Sequence, residues 1–305
     1  ELSDLSNSDT ADYENPSANV FGVSDRGRVR EVNQDQYLIA QLSKSMLVSS
    51  TTLHLQERLF GNVQGEVLLV ADGMGGHAAG EKASRLALIH LVRRLLDQVN
   101  WNFQGDGDRE KALVAELQAL LNDAHARLLL ESSRNADQRG MGTTLTMALV
   151  VETRLYVLHA GDSRCYLIRD GRAEQLTTDH TLARQMVESG GLNPEDEADS
   201  QWSNVLWNVL GGHTEGDVTA EVRRVDLELG DWIVLCSDGL HRYISKEDLA
   251  GVVNEAGAPE VACKRLVEFA NDLGGEDNIT VIVSRPELED DGHATWIEFD
   301  TVVPD

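Results

Sequence analysis

Hydrophobic positions along the chain switch between two periods, and the switches mark out the elements. Val67-Leu-Leu-Val-Ala71 is an unbroken apolar run, which suits a short strand covered on both faces. From Ala79 to Val99 the period becomes helical, with Leu88, Leu91, Val92, Leu95 and Val99 on one stripe. A second helix is predicted from about Arg109 to Glu131. Strands follow at Thr144–Val151, Leu155–Ala160 and Cys165–Arg169, the last turning through Asp170-Gly171, a pair suited to a type I′ hairpin. Val218–Val225 alternates, and Trp232–Cys236 is another apolar run. Ser245 and Asp248 form a capping box opening a helix to about Glu255. A further helix covers about Glu260–Leu273, and Ile279–Val283 closes the core as a strand. Near the start, Val20–Ser24 and Tyr37–Ala40 are predicted to pair with each other, with residues 41–66 an irregular insertion.

Many antiparallel strands with helices arriving in pairs predict an α+β sandwich, sheets inside and helices outside. Residues 19–285 form its one domain. Residues 1–18 are polar, acidic and aperiodic, a flexible lead-in. Residues 286–305 form an acidic tail in which Trp296–Val303 alternates like a strand. The stretch 182–215, with Trp202, Trp207 and a run of acids, is predicted as a surface flap.

Charge narrows the function. The 305 residues carry 52 acidic against 26 basic side chains, a formal charge of −26. Such a surface repels nucleic acid and anionic membrane, and no apolar run is long enough to span a bilayer. A phosphate-binding protein this acidic needs a strong local positive source, and bound metal supplies one. The three cysteines have no CxxC spacing, which argues against a disulfide framework. No basic-then-apolar signal segment is present. The expectation is a cytoplasmic protein, although the chain opens on Glu1 rather than Met, which leaves room for a removed leader.

Asp-Gly occurs five times, at Asp72, Asp106, Asp170, Asp238 and Asp291. Most such pairs are turns. Asp72 and Asp238 differ because each ends an apolar strand, where a rigid sheet presents a carboxylate to a cleft. The glycines after Asp72 let backbone approach a ligand closely. Asp277 precedes Asn278 and the final strand. Three carboxylates at strand edges suit a hard, oxygen-seeking cation such as Mg2+ or Mn2+.

These residues resemble a known family. Ser24-Asp-Arg-Gly-Arg-Val-Arg30-Glu-Val-Asn33-Gln34-Asp35, Val70-Ala-Asp72-Gly-Met-Gly-Gly-His77, Gly140-Met-Gly-Thr-Thr144, Gly161-Asp-Ser-Arg164, Cys236-Ser-Asp238-Gly239 and Glu276-Asp277-Asn278 are similar, in order and spacing, to the bacterial branch of the PPM family, the type-2C protein phosphatases. The resemblance implies a four-layer α/β/β/α sandwich with two Mn2+ or Mg2+ ions at one edge. Matched by position, Asp72 bridges both ions, the Gly73 carbonyl binds one, and Asp238 and Asp277 bind the other. Arg30 matches the arginine that grips the substrate phosphate, and Asp35 the acid that orients the attacking water. His77 is a candidate proton donor to the leaving group, and Asp137 a candidate ligand for a weaker third ion. Asp162 is read as a structural hydrogen-bonder at a strand end. Bacterial relatives carry Asn-Glu-Asp where this chain has Asn33-Gln34-Asp35, so a neutral amide replaces a carboxylate beside the metal site.

The activity implied is hydrolysis of phosphoserine and phosphothreonine by a metal-activated water, with no phosphoenzyme. Phosphorylated proteins would be the partners, including a cognate Ser/Thr kinase or its substrates, and the enzyme would act as a monomer. Two rivals share the same residues: a pseudophosphatase that binds without turnover, and a hydrolase of small phosphoesters.

Overall fold

The computed structural model describes residues 19–50, 52, 58–98, 107–212 and 216–288. Two antiparallel sheets face each other. The first runs β1 (Val20–Asp25), β12 (Ile279–Ser284), β11 (Trp232–Cys236), β7 (Arg164–Arg169) and β8 (Arg172–Gln175). The second runs β10 (Glu221–Asp226), β6 (Arg154–Ala160), β5 (Leu145–Val151), β3 (Arg58–Met74), β4 (Gly142–Thr143) and β9 (Leu210–Gly211), with β2 (Asp35–Leu47) pairing β3. Helices α1 (His77–Gln98) and α2 (Gly107–Arg134) cover the second sheet; α4 (Asp238–His241), α5 (Lys246–Ala256) and α6 (Pro259–Asp272) cover the first. A short α3 (Leu182–Glu188) lies in the flap.

Four layers follow from strands that are apolar on both faces. Within β3, Val67, Leu69 and Ala71 join Leu91 of α1 and Leu117 and Leu121 of α2 in one core. The alternate residues Leu68 and Val70 join Cys165, Ile233, Leu235 and Ile282 between the sheets. On β11 and β12, Val234 and Val281 meet Val253 of α5 and Leu266 of α6 in a third core. Each strand's period of two thus feeds two cores at once.

Local signals held where the chemistry is local. The Ser245 hydroxyl accepts the Asp248 amide at 3.1 Å, and α5 stops at Gly257 with φ +66°. Asp170 and Gly171 both take positive φ in the β7–β8 hairpin.

Two early expectations are overturned. β1 does not pair with β2; it pairs antiparallel with β12, from Val20↔Ser284 to Asp25↔Ile279. The connection 26–34 therefore crosses from one sheet to the other, and Arg30 rides on that crossing. Residues 41–66 are not an irregular insertion, because β2 continues to Leu47 and β3 starts at Arg58, paired through Leu47↔Arg58. Polar residues and register shifts near Ser43 conceal this extension in the sequence. The expected strand at Trp296–Val303, like the two end segments, lies outside the described residues. Among the described residues no helix is long and apolar enough to cross a membrane.

Candidate active site

Chain ends of four elements meet at one edge of the sandwich. β2 begins at Asp35, directly opposite Asp72 near the end of β3. β11 ends at Cys236, Ser237 caps α4, and Asp238 is that helix's first residue. Asp277 and Asn278 lead into β12. Asn278 stitches the crossing segment to this edge: its amide donates to the Arg26 and Val32 carbonyls at 3.0 and 3.1 Å, and its Oδ1 accepts from the Gln34 amide at 2.8 Å. Gly27, at φ +77°, allows the close approach, since a Cβ there would lie 2.1 Å from the Asp277 carbonyl oxygen.

The carboxylates are held from behind and face one another. Asp35 Oδ2 accepts from the Ser237 and Thr280 hydroxyls, each at 2.7 Å. Asp72 is fixed through its backbone, whose carbonyl accepts from the Thr144 amide at 2.9 Å and the Thr143 hydroxyl at 2.8 Å. Its carboxyl group lies within reach of the charge of Asp238. Asp238 Oδ2 pairs with Arg242, and Asp277 Oδ2 accepts from Arg30 Nη2 at 2.7 Å. The Asp35 Oδ1 and Asp238 Oδ1 atoms are buried with no hydrogen-bond partner among the described residues.

Electrostatics records this crowding. Burial pushes the Asp35 carboxyl up to about 7, against the opposing hydrogen bonds of Thr280 and Ser237, with Asp238 and Asp277 adding to the rise. Asp72 rises well above the usual range, through burial first and then Asp35, Asp238, Asp162 and Asp277. Asp238 also rises from burial, offset in part by Arg242. Asp162 rises well above its ordinary value, from burial and then from Asp238. Such a group is starved of positive charge.

A family model for protein phosphatase 2C matches residues 53–273. The chain belongs to this family. It is 38% identical over 220 residues to the serine/threonine protein phosphatase PstP of Mycobacterium tuberculosis, covering 72% of this chain but 40% of that protein. It therefore spans well under half of that relative. With the serine/threonine phosphatase stp of Listeria monocytogenes it shares 30% identity over 275 residues, 88% of this chain and 96% of that one. A solved structure of the catalytic domain of PstP in complex with two manganese ions is 34% identical, covers 87% of this chain and 96% of its own, and superposes with a TM-score of 0.65.

The protein phosphatase 2C site of this chain fits two hard cations on its own evidence. Its donors are all oxygens, two of the buried ones lack partners among the described residues, and its carboxyls are raised by burial first and then by mutual repulsion, both of which divalent charge relieves. Gly73 belongs to this edge: a Cβ on it would come within 2.2 Å of the Gly80 carbonyl oxygen, so only glycine lets β3 meet the start of α1.

Other expected residues are placed as follows. The Gln34 side-chain amide donates to the Gly75 carbonyl at 3.2 Å and lies against Gly80, so it reaches the site through the glycine turn. Asp137 is exposed on a short 3-10 turn, 136–138. His77 is the first residue of α1, and the expectation for its side chain falls outside what is described. Trp202 and Trp207 are exposed in the flap, and Trp207 stacks on His180.

Sequence reasoning missed two residues. Asp162 reads in the sequence only as a strand-end hydrogen-bonder, yet its carboxyl is raised by burial and then by the charge of Asp238, and it in turn adds to the rise of Asp72. The Gly161-Asp-Ser-Arg164 motif was the available signal. Arg242 stands four residues after Asp238, a spacing that predicts an ion pair on a helix.

A second cluster supports the edge from below. His159, His180 and Glu221 bring ligand-type atoms within 4.8 Å of one another, yet each residue is already held by hydrogen bonds. His159 Nε2 donates to the Gly161 and Thr178 carbonyls at 3.0 Å each. His180 Nδ1 accepts from the Gly161 amide at 3.1 Å and Asn208 at 2.8 Å. Glu221 accepts from the Thr178 amide at 3.0 Å. The cluster clamps the backbone beside Asp162.

Proposed function

We propose that this chain hydrolyses phosphoserine and phosphothreonine in proteins with the help of Mn2+ or Mg2+. The observation that carries this reading is the meeting of Asp35, Asp72, Asp162, Asp238 and Asp277 at one edge, with buried oxygens on Asp35 and Asp238 that have no partner among the described residues. Asp72, the Gly73 carbonyl, Asp238 and Asp277 would hold the two cations, and Asp137 a weaker third. Bound there, the cations neutralise the carboxylates and make an attacking water more acidic.

The remaining work falls to the chain. Arg30, its side chain 51% exposed at the mouth, presents a planar fork to the substrate phosphate. Asp35, fixed by two hydroxyls, orients the attacking water through its free oxygen. The water oxygen bonds to phosphorus as the ester P–O bond breaks, and the serine or threonine oxygen leaves with a proton, for which His77 is the proposed donor. A cysteine nucleophile is disfavoured: all three cysteines are buried and free, and burial pushes the Cys236 and Cys263 thiols up to about 12.

Free cysteines suit a reducing compartment, so we place the protein in the cytoplasm, acting on phosphoproteins made by a Ser/Thr kinase. Every residue of the acidic edge comes from one chain, so a monomer suffices. The test compares a phosphothreonine peptide with an aryl phosphate, with and without Mn2+. Mn2+-dependent turnover of the peptide is expected. Turnover of the aryl phosphate alone would indicate a small-phosphoester hydrolase, and no turnover of either a pseudophosphatase.

A further inference from the structure

Arg242 follows α4, four residues after Asp238. Its two terminal nitrogens are divided between acids: Nη2 pairs with Asp238 Oδ2, and Nη1 lies 3.8 Å from Asp277 Oδ2. Arg30 arrives on the crossing between the sheets and sets its Nη2 2.7 Å from that same Asp277 oxygen. Two guanidinium groups from separate parts of the chain thus converge on one oxygen. Their side chains are 51% and 36% exposed, against 18% for Asp277 and 9% for Asp238. The cationic groups form the rim and the acids the floor.

We propose that Arg242 is a second phosphate-gripping residue, which holds the substrate phosphate together with Arg30. This rests on the phosphatase reading of the same site. An arginine stays charged at any working pH, and the acids it now holds are the proposed metal ligands. Once those oxygens are taken up by cations, two charged forks stand at the rim facing the approach to the site. A phosphate monoester brings up to two negative charges and three acceptor oxygens, more than one fork can satisfy. Arg242 is also well placed to be stiff, because it follows a buried helical turn whereas Arg30 sits on a loop. The plain alternative is an i,i+4 ion pair on α4, and such pairs leave substrate affinity untouched.

The experiment uses the full chain loaded with Mn2+. Steady-state kinetics on a phosphothreonine peptide are paired with calorimetric binding of inorganic phosphate, which needs no turnover. Arg242→Met should raise KM and weaken phosphate binding by roughly 10-fold or more, the scale of a lost charge-assisted hydrogen bond, with kcat held within a few-fold. Arg242→Lys, which keeps charge and loses the fork, should fall between, and it carries the test if Arg242→Met does not fold. Unchanged KM and phosphate affinity would overturn the proposal. So would an effect confined to Mn2+ affinity, which would make Arg242 a tethered counter-ion of the acids. A wild-type protein without Mn2+-dependent turnover would defeat the phosphatase reading itself, while phosphate calorimetry would still decide the role of Arg242.

Discussion

Ser237 donates its hydroxyl to Asp35 at 2.7 Å, and this one bond ties the start of β2 in one sheet to the end of β11 in the other, directly beside Asp238. Ser237 is itself buried and accepts the Thr280 amide at 2.9 Å. Ser237→Ala leaves Asp35 with the Thr280 hydroxyl alone. It should cost about 1–3 kcal/mol, the range for orphaning a buried polar group, read from the denaturant midpoint. Asp35 should also hold its proton to higher pH, so the acid limb of the pH–rate profile should move upward. A profile identical to wild type would mean that Asp35 takes no part in that limb.

Asp72→Asn separates fold from function. It removes a ligand proposed to touch both cations, so turnover should fall by more than about 100-fold, beyond what loss of a supporting contact produces. The metal-free protein should not lose stability, because the change removes a carboxylate repelled by four others. Its melting temperature should stay level or rise by about 2–4 °C. A large drop in the metal-free melting temperature would show that the carboxylate is structural.

Stabilisation by Mn2+ should depend on pH. The folded Asp35 carboxyl titrates near 7, against an ordinary value of 3.8, so between those values the metal-free fold holds a proton that the unfolded chain has lost. Stability of the metal-free protein therefore loses this contribution as pH rises through that window. Cations reverse the penalty but compete with the proton. The melting shift on adding Mn2+ should be clearly larger at pH 7.5 than at pH 5.5. Burial above all holds the buried His159 and His180 and the half-buried His241 below the ordinary imidazole value with or without Mn2+, so their contributions cancel. An equal shift at both pH values would remove Asp35 from the metal linkage.

Gln34→Glu sets two effects against each other. It adds a negative charge near the cations, but it also replaces the donor that reaches the Gly75 carbonyl at 3.2 Å with an acceptor. Gly73, at the start of the same turn, packs closely against Gly80 and the Gln34 carbonyl, so that end of the turn resists the repulsion. The Mn2+ concentration for half-maximal activity should therefore rise, by about 10-fold. A fall in that concentration would show that charge outweighs the turn.

What the sequence disclosed depended on range. Trp232–Cys236 was legible to the residue because an apolar run buried on both faces has no other reading, and Asp72 and Asp238 stood out because each follows such a run. Val20–Ser24 reads as a strand but suggests the wrong neighbour, since the pairing edge is fixed by β12, more than two hundred residues away. The β2–β3 extension was hidden by polar residues. Arg242 drew no notice in the sequence; only the folded chain shows that Asp277 lies within its reach.

The crossing between the sheets has a consequence for how the protein is made. Asp35 and Asp72 belong to one sheet, whereas Asp238 and Asp277 flank strands of the other, and β12 must slot between β1 and β11 to bring them together. Synthesis runs from the N-terminus, so a nascent chain carries Arg30, Asp35 and Asp72 long before it can complete the edge. Until its twelfth strand is seated it holds only half of the acidic edge, and on the phosphatase reading proposed above a truncated or half-translated copy would strip no phosphate from the proteins around it.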